Sequence, residues 1–331
     1  MYFKKIIHSV GISVPVFKTG SRVVENKELL VNFPDKTNED IVNLTGIKSR
    51  NWLAEGESLV SIATDTALEA LKKNNLRLQD IDSIICATCT PEEYVSPSMA
   101  CLVLHELYKT YGEHSVQALD INAACSGYLY ALQQANNYLK TRPNARVMVI
   151  TAEALSKRIN PKDFDTAFLF ADAATTTIMM GENHLSQAKA KINRISLLST
   201  AEDGSILNIP TVKTEDHSIT LKGKQLFTYA VKHMAMILYK CCQRSNLTLE
   251  ELDLVIPHQA NQRISHAIEK RLKLKKDSLY SNIAHYGNTS SCTIPIGMAE
   301  TMDDTKVGNN IALCAFGSGF TYGAVTLEVL H

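Results

Sequence analysis

The chain has 331 residues, enough for two ordinary domains, and its 45% hydrophobic and 21% charged content is that of a soluble globular protein. Lysine plus arginine and aspartate plus glutamate balance at 34 each, so no whole-chain field favours nucleic acid or an anionic membrane. No apolar run reaches the roughly 20 residues that span a bilayer, and eight cysteines without regular spacing read as reduced thiols of a cytoplasmic protein.

The first stretch, MYFKKIIHSVGISVP, has two lysines but no long apolar run and no small-residue cleavage site. It predicts a first β-strand and not a signal peptide. SLVSIATDTALEALKK then predicts a helix, and NNLRLQDIDSIICAT, from Asn74 to Thr88, a polar loop leading into an apolar strand. Cys86 and Cys89 have C-x-x-C spacing there. With no second such pair and no histidine cluster nearby, they read as small residues at a buried strand end rather than a metal or redox pair. VQALDIN predicts a strand, SGYLYALQQANNYLK a helix, ARVMVITAEA a strand, and AFLFADAATTTIMMG a further one. In the second half LFTYAVKHMAMILYKCC predicts a helix in which Cys241 and Cys242 pack, and SNLTLEELDLVIPHQ a loop and strand. NNIALCAFGSG and TYGAVTLEVL are the closing strands.

Two of these segments are copies. Asn75, Leu76, Leu78, Asp82 and Ile85 recur at a constant offset as Asn246, Leu247, Leu249, Asp253 and Ile256. Each copy follows a helix and ends in an apolar strand, which predicts a duplicated α/β unit. The expected organisation is two halves, 1–175 and 176–331, packed as one body with sheets covered on both faces.

Four stretches carry chemistry. In NAACSGYLYAL, Cys125 sits between small residues where a strand gives way to a helix. Packing, metal ligation and nucleophilic attack are all open to it, and a helix N-terminus there would lower its pKa and favour the thiolate. In VIPHQANQRI, His258 follows a strand that stops at Pro257, the end at which α/β sheets hold their sites, with Gln259 and Asn261 in the same turn. HYGNTSSCTIPIGMAE offers a Gly287–Asn288 turn and helix caps at Thr289, Ser290 and Ser291. AFGSGFTYG offers glycines whose backbone N–H groups can face a ligand oxygen.

Taken in order, the four resemble the thiolase superfamily and, within it, the β-ketoacyl-[acyl-carrier-protein] synthase III family, over essentially all 331 residues. TGIKSRNW matches that family's T-G-I-x-x-R, AACSGYLYAL its nucleophile segment, PHQANQRI and YGNTSS its histidine and asparagine motifs, and FGSGFTYG its terminal glycine turn. The resemblance implies a thiolase-like fold of five layers, α-β-α-β-α. It implies that Cys125 attacks an acyl thioester and holds the acyl group. The N–H groups of Cys125 and Ser318 would form the oxyanion hole, Ser318 standing where many relatives have glycine. His258 and Asn288 would hydrogen-bond the malonyl thioester carbonyl and stabilise the enolate left by carbon dioxide. No metal or cofactor is needed beyond acyl-CoA or acyl-ACP and malonyl-ACP as substrates. Arg263, Lys270 and Arg271 would dock the acidic acyl carrier protein, and a homodimer would form through the nucleophile half, with VQALDIN at its interface. Neither nucleic acid nor membrane is an expected partner.

Two departures bear on the donor. Where acetyl-CoA-using relatives carry Trp and Arg before T-G-I, this chain has Asp40 and Leu44, which weakens that mode of CoA recognition. In PEEYVSPSMA the residue nearest the Pro-Ser is Ser96, where relatives often place an aromatic residue that narrows the acyl pocket across the dimer. Both point to a donor longer than acetyl, delivered by a carrier, in fatty-acid initiation or a related pathway. The main alternative keeps the fold and moves the acyl group to a hydroxyl or amine. A hydroxymethylglutaryl-CoA synthase-like aldol enzyme would need a glutamate base, for which Glu153, Glu92 and Glu93 are the available residues, though their surroundings do not resemble that family. A non-catalytic partner subunit would usually have lost the cysteine.

Overall fold

The computed structural model describes residues 8–91, 94–201, 204–212, 214 and 217–331. The amino-terminal part of the expected first strand, and Glu92 and Glu93, lie outside the described residues. The rest of that strand is β1 (Gly11–Ile12) and β2 (Val16–Thr19). A small excursion follows: β3 (Arg22–Glu25), α1 (Asn26–Leu29), α2 (Asn38–Thr45) and β4 (Ser49–Trp52). The first half continues through α3 (Leu59–Lys73), β5 (Ser83–Thr90), α4 (Met99–Tyr111), β6 (Gln117–Ile121), α5 (Gly127–Leu139), β7 (Arg146–Ala154), α6 (Phe164–Ala167) and β8 (Asp172–Met180). The second half runs β9 (Ala190–Ser199), β10 (Leu207–Asn208), β11 (Thr220–Leu221), α7 (Gly223–Arg244), β12 (Leu254–Pro257), α8 (Gln262–Leu272), α9 (Ile283–Tyr286), α10 (Thr293–Thr301), β13 (Asn310–Gly317) and β14 (Thr321–Val329).

The duplication is visible strand by strand. In the first half β2, β8, β7, β5 and β6 are neighbours in that order. In the second the order is β9, β14, β13 and β12, followed by a parallel bridge from Val255 to Leu279. In both halves the first pairings are antiparallel, and those around β5 and β12 are parallel. β1 pairs with both β8 and β9 and joins the halves into one path. The repeated loop keeps its details. Asn75 and Asn246 both adopt positive φ, 53° and 57°. Asp82 accepts from Arg146 N at 2.8 Å, and Asp253 accepts from Asn310 N at 2.9 Å. The expected boundary at residue 175 falls inside β8 and needs correcting. β8 completes the first sheet, so the halves divide after Met180, before β9 begins at Ala190.

Burial explains the layers. α5 buries one broad face, from which Tyr128, Leu129, Leu132 and Leu139 pack between Ile85, Val147 and Val149 of one sheet and Ile311, Leu313 and Val325 of the other. Each fully buried Leu there contributes roughly 1.5–3 kcal/mol. Ile294 and Met298 of α10 join the same cluster. α3 and α4 cover the outer face of the first sheet, and α7 and α8 that of the second, which completes α-β-α-β-α. β6 pairs only with β5 among the described residues and is half-exposed. No helix among the described residues is long and apolar enough to cross a membrane.

Candidate active site

Cys125 lies in a single 3-10 turn, Ala124–Ser126, that leads into α5. Ala124 takes φ 48° and donates its N–H to Asn122 Oδ1 at 3.1 Å, which turns the chain sharply enough to aim the thiol along the helix start. Gly127 is needed just behind it: a Cβ there would meet Ala87 Cβ at 3.1 Å and Ser291 Cβ at 3.3 Å. The glycine turn of the second half is stitched onto this one. Thr321 Oγ1 donates to Ala123 O at 2.8 Å, and Ser126 Oγ donates to Thr321 O at 2.9 Å. A Cβ on Gly317 would meet Cys125 N at 2.9 Å, so only glycine allows the two backbones to lie this close.

His258 and Asn288 arrive from the second half. His258 follows β12 and its backbone N–H holds Cys314 O at 2.8 Å. Its Nδ1 is 2.7 Å from Thr293 Oγ1, so Nε2 is the nitrogen left for the cavity. Burial pushes its pKa down to about 3, so the imidazole is neutral. Thr293 Oγ1 also lies 3.1 Å from Ser290 O, which can only accept. When the threonine proton turns to Nδ1, His258 presents Nε2–H. Asn288 is clamped by its backbone, donating to Leu169 O at 2.8 Å and accepting from Ala171 N at 2.9 Å. Its Oδ1 accepts from Ser290 N at 2.8 Å, which turns the Nδ2 donor forward.

Ser290, with φ 53°, thus touches all three groups. Its N–H holds Asn288, its carbonyl faces Thr293 behind His258, and its hydroxyl lies 3.6 Å from Cys125 Sγ. The sequence suggested only a helix cap here. Beyond Ser290 stands a second thiol, Cys89, 3.7 Å from the same hydroxyl and 3.3 Å from the buried carboxylate of Glu153. A thiolate favoured by the helix start was expected at Cys125. Instead burial pushes its pKa up to about 12, with Glu153 pushing the same way and the Ser290 hydroxyl pulling against it.

Cys125, His258, Asn288 and Gly317 line one cavity of about 700 Å³. The rest of its wall is largely apolar, including Leu44, Phe164, Phe168, Leu207 and Phe227. Arg263 and Lys224 are the cations on it, and the Arg263 guanidinium lies 6.0 Å over the Phe227 ring. Lys270 and Arg271 are exposed in the last turn of α8 and do not line the cavity. Ser318 does not line it either, and its hydroxyl turns away to donate to Leu207 O at 2.5 Å. Ser96 is exposed and does not line the cavity of its own chain.

Three other residues have structural work. Asp40 closes a capping box at the start of α2, accepting from Thr37 N and from Thr37 Oγ1 at 2.8 Å each. Arg50 is fully buried and donates to Val24 O at 3.1 Å and Phe168 O at 3.0 Å, so it ties the excursion to the cavity wall. Trp52 Nε1 donates to Phe170 O at 2.9 Å in the same seam.

Known proteins resemble the chain throughout. Residues 119–197 match the family described as 3-oxoacyl-[acyl-carrier-protein (ACP)] synthase III, and residues 242–329 match its C-terminal counterpart. The β-ketoacyl-[acyl-carrier-protein] synthase III of Oleidesulfovibrio alaskensis is 35% identical, covering 93% of this chain and 95% of that protein. That of Aquifex aeolicus is 38% identical over 93% and 98%. The crystal structure of the Aquifex aeolicus enzyme superposes with a TM-score of 0.84 over 97% of this chain and 99% of that one, at 35% identity. The priming β-ketosynthase of the R1128 polyketide pathway shares the fold, with a TM-score of 0.87 at 22% identity over 99% and 98%.

Proposed function

The chain belongs to the β-ketoacyl-[acyl-carrier-protein] synthase III family, and from that premise we propose how its residues carry out the condensation of an acyl thioester with malonyl-ACP. Cys125 attacks the thioester and keeps the acyl group while the donor thiol leaves. The oxyanion of that step would be met by the Cys125 N–H and by the N–H of Ser318, which follows the cavity-lining Gly317 although the Ser318 side chain turns away. Malonyl-ACP then enters, and its thioester carbonyl accepts from His258 Nε2 and Asn288 Nδ2. As the carboxylate leaves as carbon dioxide, its electron pair becomes an enolate held by those two neutral donors. The enolate carbon attacks the acyl carbonyl and expels the Cys125 thiolate, which frees the β-ketoacyl product.

One observation carries this reading. His258 Nδ1 and Asn288 Oδ1 are both engaged from behind, at 2.7 and 2.8 Å, so Asn288 leaves its Nδ2 donor and His258 its Nε2, a donor when the Thr293 proton turns to Nδ1, on the wall that holds Cys125. Transfer to a hydroxyl or amine would give the Asn288 donor no task. The test separates the half-reactions: Cys125→Ala loses acyl loading and keeps some malonyl decarboxylation, whereas Asn288→Ala loads and fails to condense. Equal loss of both half-reactions in the Asn288 variant refutes the assignment.

The finer reading concerns donor and partner. Leu44 and Phe164 give the cavity wall apolar surface where an adenine platform and a cation would serve CoA, and Asp40 is committed to its cap. The donor is therefore an acyl chain longer than acetyl, brought by acyl carrier protein that docks on Arg263, Lys270 and Arg271. The half-exposed edge of β6 supports a homodimer through the first half, in which Ser96 would reach the partner's acyl pocket. Intact-protein mass spectrometry across a panel of acyl-CoAs and acyl-carrier proteins decides. A dominant acetyl adduct from acetyl-CoA overturns the donor assignment.

A further inference from the structure

We propose that Glu153 stores the proton that Cys125 gives up on acylation, receiving it through Ser290 and Cys89. The inference rests on Cys125 being the acyl carrier. A thiol that burial pushes up to about 12 holds its proton at neutral pH, so acylation needs somewhere to put it. His258 and Asn288 are committed to the other half-reaction. On the remaining side of the thiol the structure has a continuous string of exchangeable groups. Ser290 Oγ donates to Cys125 Sγ at 3.6 Å and turns its hydroxyl toward Cys89 Sγ, 3.7 Å away, to accept from Cys125, and Cys89 Sγ donates to Glu153 Oε2 at 3.3 Å.

Glu153 ends that string with 0% exposure. Thr90 Oγ1 donates to it at 2.6 Å, Ser291 Oγ at 2.7 Å and the Cys89 N–H at 3.2 Å. Burial raises its pKa, the larger influence, while these donors favour the carboxylate. The titratable groups facing it are the thiols of Cys86, Cys89, Cys125 and Cys292, and Arg158 acts on Cys89. Neither Glu153, Cys89 nor Ser290 lines the substrate cavity, so the stored proton is kept from the leaving thiolate.

The atoms balance over the whole cycle. On acylation the Cys125 proton passes to Ser290, the Ser290 proton to Cys89 and the Cys89 proton to Glu153, while the Cys125–acyl bond forms and the donor C–S bond breaks. The departing thiolate takes its proton from solvent. On condensation the expelled Cys125 thiolate recovers the stored proton by the reverse path. The net uptake of one proton per turnover is what decarboxylative condensation requires, and the string assigns that uptake to the first half-reaction.

The experiment mixes enzyme with an acyl-thioester donor and no malonyl substrate, in weakly buffered solution with a pH indicator. Acyl-Cys125 is counted by mass spectrometry in the same sample. One solvent proton consumed per acyl group is expected, together with a new protonated-carboxyl band in the infrared difference spectrum. In Cys89→Ala, which keeps the other Glu153 bonds, and in Glu153→Gln, acylation slows roughly 10²-fold and proton uptake disappears. Complete acylation without uptake in the wild-type enzyme overturns the proposal, as does uptake that persists in both variants. Absence of any Cys125 adduct instead overturns the functional reading on which the proposal stands.

Discussion

The turn Asn122–Ser126 in the first half and the turn Asn288–Cys292 in the second are the same piece of backbone. Each begins with an asparagine whose Oδ1 accepts from the N–H two residues on, at 3.1 and 2.8 Å. Each then takes a positive φ, 48° at Ala124 and 53° at Ser290, and runs through one 3-10 turn into a helix of the central layer. Only the side chains differ. The first turn offers the thiol of Cys125 where the second has Ser291, bonded to Glu153. The second offers the amide of a buried Asn288, where the first has an exposed Asn122. Behind them Gly127 packs closely on Ala87, whereas Thr293 hydrogen-bonds His258. A duplicated scaffold thus presents a nucleophile from one copy and two hydrogen-bond donors from the other, facing each other across the joint.

The largest effect expected is at the first turn. Cys125→Ala leaves no acyl adduct on mass spectrometry with any donor, because Ser291 sits in the equivalent place but is turned to Glu153. An acyl group found on Ser291 in that variant would show the two turns to be chemically interchangeable. Asn288→Ala comes next: removing one of two enolate donors lowers condensation by about 10²–10³-fold, with acyl loading within a few-fold of wild type. Thr293→Val keeps the volume and leaves His258 Nδ1 without its partner. Decarboxylation should fall by roughly tenfold, the worth of one orienting hydrogen bond, while acylation is unchanged. Equal slowing of both half-reactions would mean that Thr293 only packs.

The His258 site also differs from its Ala87 counterpart in its response to pH. His258 titrates near 6.5 when unfolded and about 3 when folded. Between these values the unfolded chain binds the extra proton, so stability rises with pH up to about 6.5 and is lost as pH falls toward 3. Urea unfolding midpoints should therefore drop more steeply below pH 6.5 in the wild type than in His258→Gln. Parallel curves would show that the imidazole keeps its solution pKa in the fold.

The halves were legible because their signals are local. The repeated Asn-Leu positions form loops closed within a few residues, and the four motif segments lie at strand and helix ends, where one turn fixes the geometry. What was missed depends on pairs distant in sequence. Thr293 is behind His258, and Glu153 is two side chains behind Cys125, because β7 lies beside β5 in the sheet. The high thiol pKa was missed for the same reason: a helix start can be read from sequence, but the burial that overrides it is made by the other half. Asp40 departs from a CoA-binding pattern, and with Thr37 it also has the spacing of a capping box. The division at residue 175 failed because it cuts through β8, and pairing with β7 along its whole length assigns that strand to the first half.

The smallest expected effect is the sharpest control on the paired turns. Asn122→Ala removes the same backbone-holding hydrogen bond as Asn288→Ala, from the same position of the same turn. Asn122 is exposed, so its Nδ2 has no enolate to meet and its Oδ1 only steadies Ala124 at positive φ. The loss should be about 0.5–1.5 kcal/mol of stability, seen as a lower urea midpoint, with acylation and condensation slowed together by no more than a few-fold. If Asn288 served only its turn, the two alanine variants would behave alike. A large and selective condensation defect at Asn288 beside a small uniform one at Asn122 would separate what the duplicated backbone requires from what the chemistry added to one copy.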